Sequence, residues 1–383
     1  MKVVIIEFGS TLRCGFSGEL KPRYVTSSSY LFPRTQRRQG GKPLSYFLFS
    51  KLYLLFMDIL HVKPKDSRVL VVENAFTPKV FRDALYHSLF IDLKVQSISF
   101  QPDLLMPLLA TGSLSGLVID IDHFESRSMA IVDGRPIYNS LRTTPVGVVH
   151  AFRRFCKEFK SINQEVPNIH IDDILMREIF EKAVLYNSVL EVRARNGMMN
   201  TVDSHLMSLN VNSEEVPLKI PEILRSSCLN ELLRGLQLDG KDESEDEIGG
   251  IIGVVNSTLR TCSTDVIKII LKHSIFYGSG TVVPGIMEKV CSEVEFFSEE
   301  GDHKNANALK TNSFWQETSS KTCRFKVAFK STPYNPYLLS WIGGSIFASL
   351  KSHETRQMSD NRGLKCSVGA DDDFQCHYGD ITD

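Results

Sequence analysis

A chain of 383 residues is long enough for two or more domains, each with a core of its own. Lys and Arg number 44 against 45 Asp and Glu, for a net charge of −1, with 42% hydrophobic and 23% charged residues. That is a globular balance, and it offers no basic field to draw nucleic acid or an anionic surface.

In chain order, the apolar run Val3-Val4-Ile5-Ile6 is too short for a secretion leader and ends in Glu7, Gly9 and Ser10. It turns and returns to Gly15-Phe16-Ser17-Gly18 and Pro22, which predicts a β-hairpin. Residues 26–43 read as a loop, and its Arg34, Arg37, Arg38 and Lys42 as a solvated basic run. The most hydrophobic stretch, 44–62, contains Lys51, Asp58 and His61; a membrane span would have to desolvate all three, so a largely buried amphipathic helix is expected and no membrane span. A strand follows at 69–72. Thr77-Pro78 then opens a helix as N-cap and first residue, with Phe81, Ala84, Leu85, Ser88 and Leu89 on one face. A strand at 95–100 precedes an apolar helical face of Leu104, Leu105, Leu108 and Leu109, closed by Gly112.

The hairpin pattern then recurs. Gly116-Leu117-Val118-Ile119-Asp120-Ile121-Asp122 turns and returns as Ser128-Met129-Ala130-Ile131-Val132, with Asp133-Gly134 and Pro136 behind. Strand, acid, turn and strand written twice predict two homologous lobes. Helices are expected near 146–159 and 174–189, and the strand–helix alternation argues for an α/β class with mixed sheets. Residues 239–247 form an acidic loop, and the chain from His353 onward reads as a loosely ordered tail. The eight cysteines contain no Cys-x-x-Cys pair and read as reduced, mostly buried thiols. Cys366 and Cys376-His377 lack the second half of a ligand set, so no metal site is assigned.

These motifs resemble the actin family. Val4 to Ser10 with Gly15-Phe16-Ser17-Gly18 and Pro22-Arg23 is similar to the family's first phosphate loop. Asn256-Ser257, Cys262 and Asp265-Val266 lead into Gly278-Ser279-Gly280-Thr281-Val282-Val283-Pro284-Gly285, which resembles the adenosine motif. Trp341-Ile342-Gly343-Gly344-Ser345 is similar to the C-terminal signature. The resemblance implies duplicated ribonuclease-H-like lobes around a nucleotide cleft. The first lobe would take 1–116 with 335–352, including a shortened outer subdomain at 26–64. The second would take 117–334, with a divergent insertion at about 150–250, and a tail would follow at 353–383. It also implies nucleotide-binding positions at Gly9, Ser10, Thr11, Asp120, Gly278, Ser279, Gly280 and Thr281. ADP or ATP is left open as a ligand, with magnesium only as the nucleotide's companion.

The same resemblance shows what has been lost. After Asp120 the family's Gly-Asp-Gly turn is replaced by Asp122, His123 and Phe124, which bring negative charge and a bulky ring to a place where backbone should approach phosphate. Asp103 stands at the family's water-positioning Gln and Arg127 at its His. Asp103 has the chemistry of a base and Arg127 that of a phosphate partner, but neither reproduces the arrangement. Near Arg177-Glu178-Ile179, the adenine-side Lys-Glu pair aligns with Val184 and Leu185. No catalytic residue is therefore assigned. Within the family the pattern most resembles the divergent actin-related subunit of the dynactin pointed-end complex. That implies a cytoplasmic, cytoskeletal scaffold in dynein-driven transport. It would contact actin-like filament subunits through the barbed-end face and also bind the other pointed-end subunits. The alternatives are a nuclear actin-related subunit of a chromatin-remodelling complex and a residual actin-type ATPase.

Overall fold

The computed structural model describes residues 2–27, 44–162, 173–184, 204–211, 214–236, 248–294 and 332–351. The chain divides into two compact units, 1–112 with 338–383 and 113–337. In the first unit, β1 (Lys2–Phe8) and β2 (Thr11–Phe16) form the predicted hairpin, and β3 (Tyr24–Ser27) extends it at one edge. On the other side β4 (Ser67–Glu73) runs parallel to β1, and β5 (Ser97–Pro102) parallel to β4, giving the order β3-β2-β1-β4-β5. β1 and β4 are buried apolar strands, as expected where neighbours lie on both sides.

Helix α1 (Leu44–Leu54) continues into a π-helical turn, Leu55–Ile59. Leu48, Leu52, Leu55, Phe56 and Leu60 are buried in the same cluster as Val4, Ile6, Val69 and Val71. The stretch is thus a helix of the first unit's own core, and the span 26–64 divides. Its start lies in the edge strand, 44–60 belongs to the core, and 28–43 lie outside the described residues, with the basic run Arg34 to Lys42.

Helix α2 (Lys79–Tyr86) begins one residue later than Thr77-Pro78 predicts, because Pro78 keeps an extended backbone (φ −60°, ψ 136°) and itself takes the cap position. Phe81 and Leu85 on its inner face are buried, as are Ser88 and Leu89 in the π-helical turn His87–Asp92 that continues it, while Ala84 on the same face is partly buried. Helix α3 (Met106–Ala110) follows β5 through a 3-10 turn, Asp103–Leu105.

The second unit repeats the plan. β6 (Gly116–Ile121) and β7 (Ser126–Val132) form a hairpin, β14 (Ser274–Tyr277) runs parallel to β6, and β8 (Arg135–Pro136) and β9 (Arg142–Thr144) both pair with β7. Around it lie α4 (Val148–Ile162), α5 (Asp173–Ala183), α6 (Glu222–Ser227), α7 (Asn230–Arg234), α8 (Ile251–Arg260) and α9 (Thr264–Ile270). Two further strand pairs, β10 (Ser204–Val211) with β11 (Glu214–Pro221) and β12 (Gly235–Leu236) with β13 (Ile248–Gly249), stand apart from the main sheet. The core runs through Leu117, Ile119, Phe155, Phe159, Ile179, Phe180 and Val255. Phe155, Phe159 and Phe180 make stacked and edge-to-face contacts at 5.5–5.6 Å. The acidic loop 239–247 and the chain after Lys351 lie outside the described residues.

Candidate functional site

Each hairpin carries an acid near the end of its first strand, and in each the residue directly opposite is an arginine. Glu7 faces Arg13 across β1–β2, and Asp120 faces Arg127 across β6–β7. Arg13 Nη1 donates to Glu7 Oε1 at 2.8 Å, with the two side chains 8% and 7% exposed. Arg127 Nε donates to Asp120 Oδ2 at 3.0 Å, and Nη2 also donates to that oxygen. The two side chains are 4% and 2% exposed, and Nη2 lies 3.3 Å from the Tyr277 hydroxyl on β14. These are charge-assisted bonds out of water, where each partner depends on the other: removing one from a buried pair typically costs about 3–5 kcal/mol. Even so, burial raises the Glu7 carboxyl above its ordinary value, against the lowering effect of Arg13.

The first loop holds Gly9 and Ser10 in a tight turn, with the Gly9 N–H donating to the Thr11 carbonyl at 3.1 Å. A Cβ at Gly9 would meet nothing closer than that carbonyl at 3.8 Å, so the packing of the unit does not by itself demand glycine there. At the second loop, the Asp122 N–H is spent on the Glu125 carbonyl at 3.0 Å. The carbonyls of Asp122 and His123 accept the first amides of α4, those of Val148 and Val149. Phe124 is half exposed, with its ring edge-on to His123 at 4.6 Å. Among the described non-glycine residues only His61, Lys94 and Asp133 have positive φ, so this turn is built without the left-handed backbone that would call for glycine. His123 is held below its ordinary pKa by burial, and Arg177 adds to the effect.

Gly278, Ser279, Gly280 and Thr281 lie in the same unit, against the end of β6. Gly278 has φ +98°, and a Cβ there would meet the Ile121 carbonyl at 2.5 Å and Asp120 Oδ1 at 2.6 Å. At Gly280 a Cβ would meet the Ile121 side chain at 2.2 Å. The Thr281 hydroxyl donates to the Gly278 carbonyl at 2.7 Å, and the Ser279 hydroxyl lies 3.5 Å from Asp122 Oδ1. These residues lie beside Asp120, and packing against β6 accounts for both glycines.

The residues that stand at the family's water-positioning places, Asp103 and Arg127, are both engaged in contacts of their own. Asp103 is buried and accepts the Leu104 N–H at 2.8 Å, fastening its own 3-10 turn. Arg127, which stands at the family's His position and has the chemistry of a phosphate partner, is held by Asp120. Val184 is a core residue of the second unit, and Leu185 lies outside the described residues. Sequence inspection reached neither acid–arginine pair nor the Tyr277 hydroxyl; the signal for the pairs was an arginine in each returning strand, and Tyr277 had none. Among the described residues no three His, Cys, Asp or Glu come together as a metal-ligand set. Cys366, Cys376 and His377 lie outside them.

A magnesium nucleotide therefore fits the second unit poorly. Asp120, the acid that would face the metal, already holds a guanidinium. A cation there would have to share the carboxylate with the guanidinium, whose like charge offsets much of the attraction that Asp120 offers. The arginine in turn has its charge matched by Asp120, with Glu125 Oε1 also 3.5 Å from its Nε, and offers phosphate little.

The C-terminal signature has a packing explanation. Helix α10 (Leu339–Lys351) lies on α3, and a Cβ at Gly343 would stand 1.8 Å from the Met106 carbonyl. Gly344 sits over Val72, and the Trp341 ring covers Gly15 while its Nε1 donates to the Glu19 carbonyl at 3.2 Å.

A family model described as Actin matches residues 49–201 and 208–361. Actin-related protein 10 of Dictyostelium discoideum is 22% identical over 409 residues, covering 91% of this chain and 83% of that protein. With a hairpin-and-parallel-strand sheet in each of two units and the closing glycine helix α10, the chain belongs to the actin family.

Proposed function

We propose that this chain is a non-catalytic actin-related scaffold that caps the pointed end of dynactin's actin-like filament in the cytoplasm and so supports dynein-driven transport. The observation that carries the reading is the connection between β3 and α1. In the family the outer subdomain that grips the next filament subunit is inserted there. Here Ser27 closes the edge strand, Leu44 already opens a core helix, and only residues 28–43 lie between. A subunit that keeps its inner lobes and lacks that grip can join a filament and end it. The likeness to Actin-related protein 10 supports the choice among actin relatives. The buried pairs Glu7–Arg13 and Asp120–Arg127 support a role without ATP hydrolysis.

The test is recovery of partners. A tagged copy purified from cells and analysed by quantitative mass spectrometry is expected to bring down an actin-like filament protein and the dynactin pointed-end subunits in fixed ratio. Recovery of chromatin-remodelling subunits instead, or of the chain alone, would overturn the proposal.

A further inference from the structure

We infer that Arg13 and Arg127 are built-in counter-ions standing in for a metal-bound nucleotide, so that each unit holds its acidic hairpin closed with neither a divalent cation nor a nucleotide bound. The inference does not depend on the capping role, because it concerns the isolated chain.

Two independent hairpins arrive at the same solution. In both, antiparallel register puts the arginine directly across from the acid, which is the closest cross-strand approach a sheet offers. In both, the acid and the arginine are almost wholly buried and joined at hydrogen-bond distance. The solutions differ in how each is reached. The first hairpin turns through Gly9 and Ser10, the second through Asp122 to Glu125. Their polar neighbours differ too: Ser340 on α10 lies beside Glu7, whereas Arg127 has the Tyr277 hydroxyl, brought in by β14, and the Glu125 carboxylate 3.5 Å from its Nε.

A buried carboxylate needs a cation, and a family member that binds a metal nucleotide can draw on one from solution. Here the cation is part of the chain, placed by strand register, and cannot diffuse away. The consequence reaches both halves of the ligand. A metal would have to approach a carboxylate whose positive partner is fixed beside it, and a phosphate would find the guanidinium already matched. The glycine turn at Gly278 and Gly280 does not argue the other way, since both glycines are required by contact with β6.

Thermal unfolding of the purified full-length chain tests this. After dialysis against EDTA its Tm should equal that in Mg2+, and added Mg-ADP or Mg-ATP should move it by less than about 1 °C. A ligand at about 100 times its Kd would raise Tm by several degrees. An acid extract of the fresh protein should contain no stoichiometric adenine nucleotide. Arg127→Ala should lower Tm and make it respond to Mg2+, which recovers part of the loss at the bare Asp120. The response should vanish in the Asp120→Asn/Arg127→Ala double variant. A wild-type Tm that falls in EDTA or rises by several degrees with Mg-nucleotide would overturn the inference, as would a co-purifying nucleotide. If Mg2+ restores nothing to a folded Arg127→Ala protein, the arginine is a packing element and the inference fails. Should that variant not fold, the wild-type arms decide alone.

Discussion

Glu73 shows how much one carboxyl can set the behaviour of this sheet. It ends β4, beside the end of β5, with its Oε1 3.3 Å from Arg82 Nε on α2. Burial pushes its pKa from 4.5 to about 7; Arg82 opposes the shift and the buried Asp103 adds to it. Between these two values the folded chain holds a proton that the unfolded chain has released, so stability falls as pH rises through the interval. Urea unfolding at pH 5, 6, 7 and 8 should therefore show a decline that levels off above pH 7. Glu73→Gln, which carries no titrating group, should remove much of that decline and should be relatively more stable than wild type at pH 8. An unchanged pH profile would mean that the carboxyl is ionised throughout. The buried thiol of Cys228 is also pushed up, to about 12, so it remains protonated at neutral pH and should react slowly with thiol reagents in the folded state.

The helices that close the first unit make sharper predictions, because their contacts are to backbone as well as to side chains. Gly343→Ala places a methyl group into the Met106 carbonyl, which cannot rotate away, so α10 must shift from α3. A loss of about 1–3 kcal/mol or more is expected, measured by chemical unfolding. On α1, Leu52→Ala should cost about 2–5 kcal/mol because Leu52 is buried against the sheet, whereas Tyr53→Ser, on the exposed side, should cost little. Equal small effects at both positions would remove α1 from the core. These elements were legible in sequence where the apolar pattern is strong, as in the continuous apolar runs of the hairpin strands, which are buried on both faces, and in the Phe81–Leu85–Leu89 stripe. The fate of α1 was half legible: its burial could be read, but the span 26–64 set it with the outer subdomain. Propensity cannot say which neighbour a buried face meets. The acid–arginine pairs were less legible still, because they depend on strand register. Glu7 meets Arg13 six residues on and Asp120 meets Arg127 seven residues on, and the shape of each turn decides the offset. Phe124 stands in a turn with no left-handed backbone at any position, which the sequence of that turn did not by itself reveal.

At the scale of the whole molecule, the capping proposal is a statement about valence. Open filaments grow because each subunit offers two different faces, and a subunit with one functional face stops growth after a single addition. The chain between Ser27 and Leu44 is too short to supply the outer subdomain that the second face would require. On its own, then, the chain should not polymerise under salt conditions that assemble actin; sedimentation should yield no pelletable polymer at any concentration reached. Mixed with actin-like filaments, it should bind in proportion to the number of ends and not to filament mass. Shearing separates these cases cleanly, because it multiplies ends while leaving the mass unchanged. Bound chain should rise after shearing and saturate near one copy per filament. Binding that ignores shearing and follows filament mass would describe a side-binding protein, and the short connection before α1 would then need another explanation.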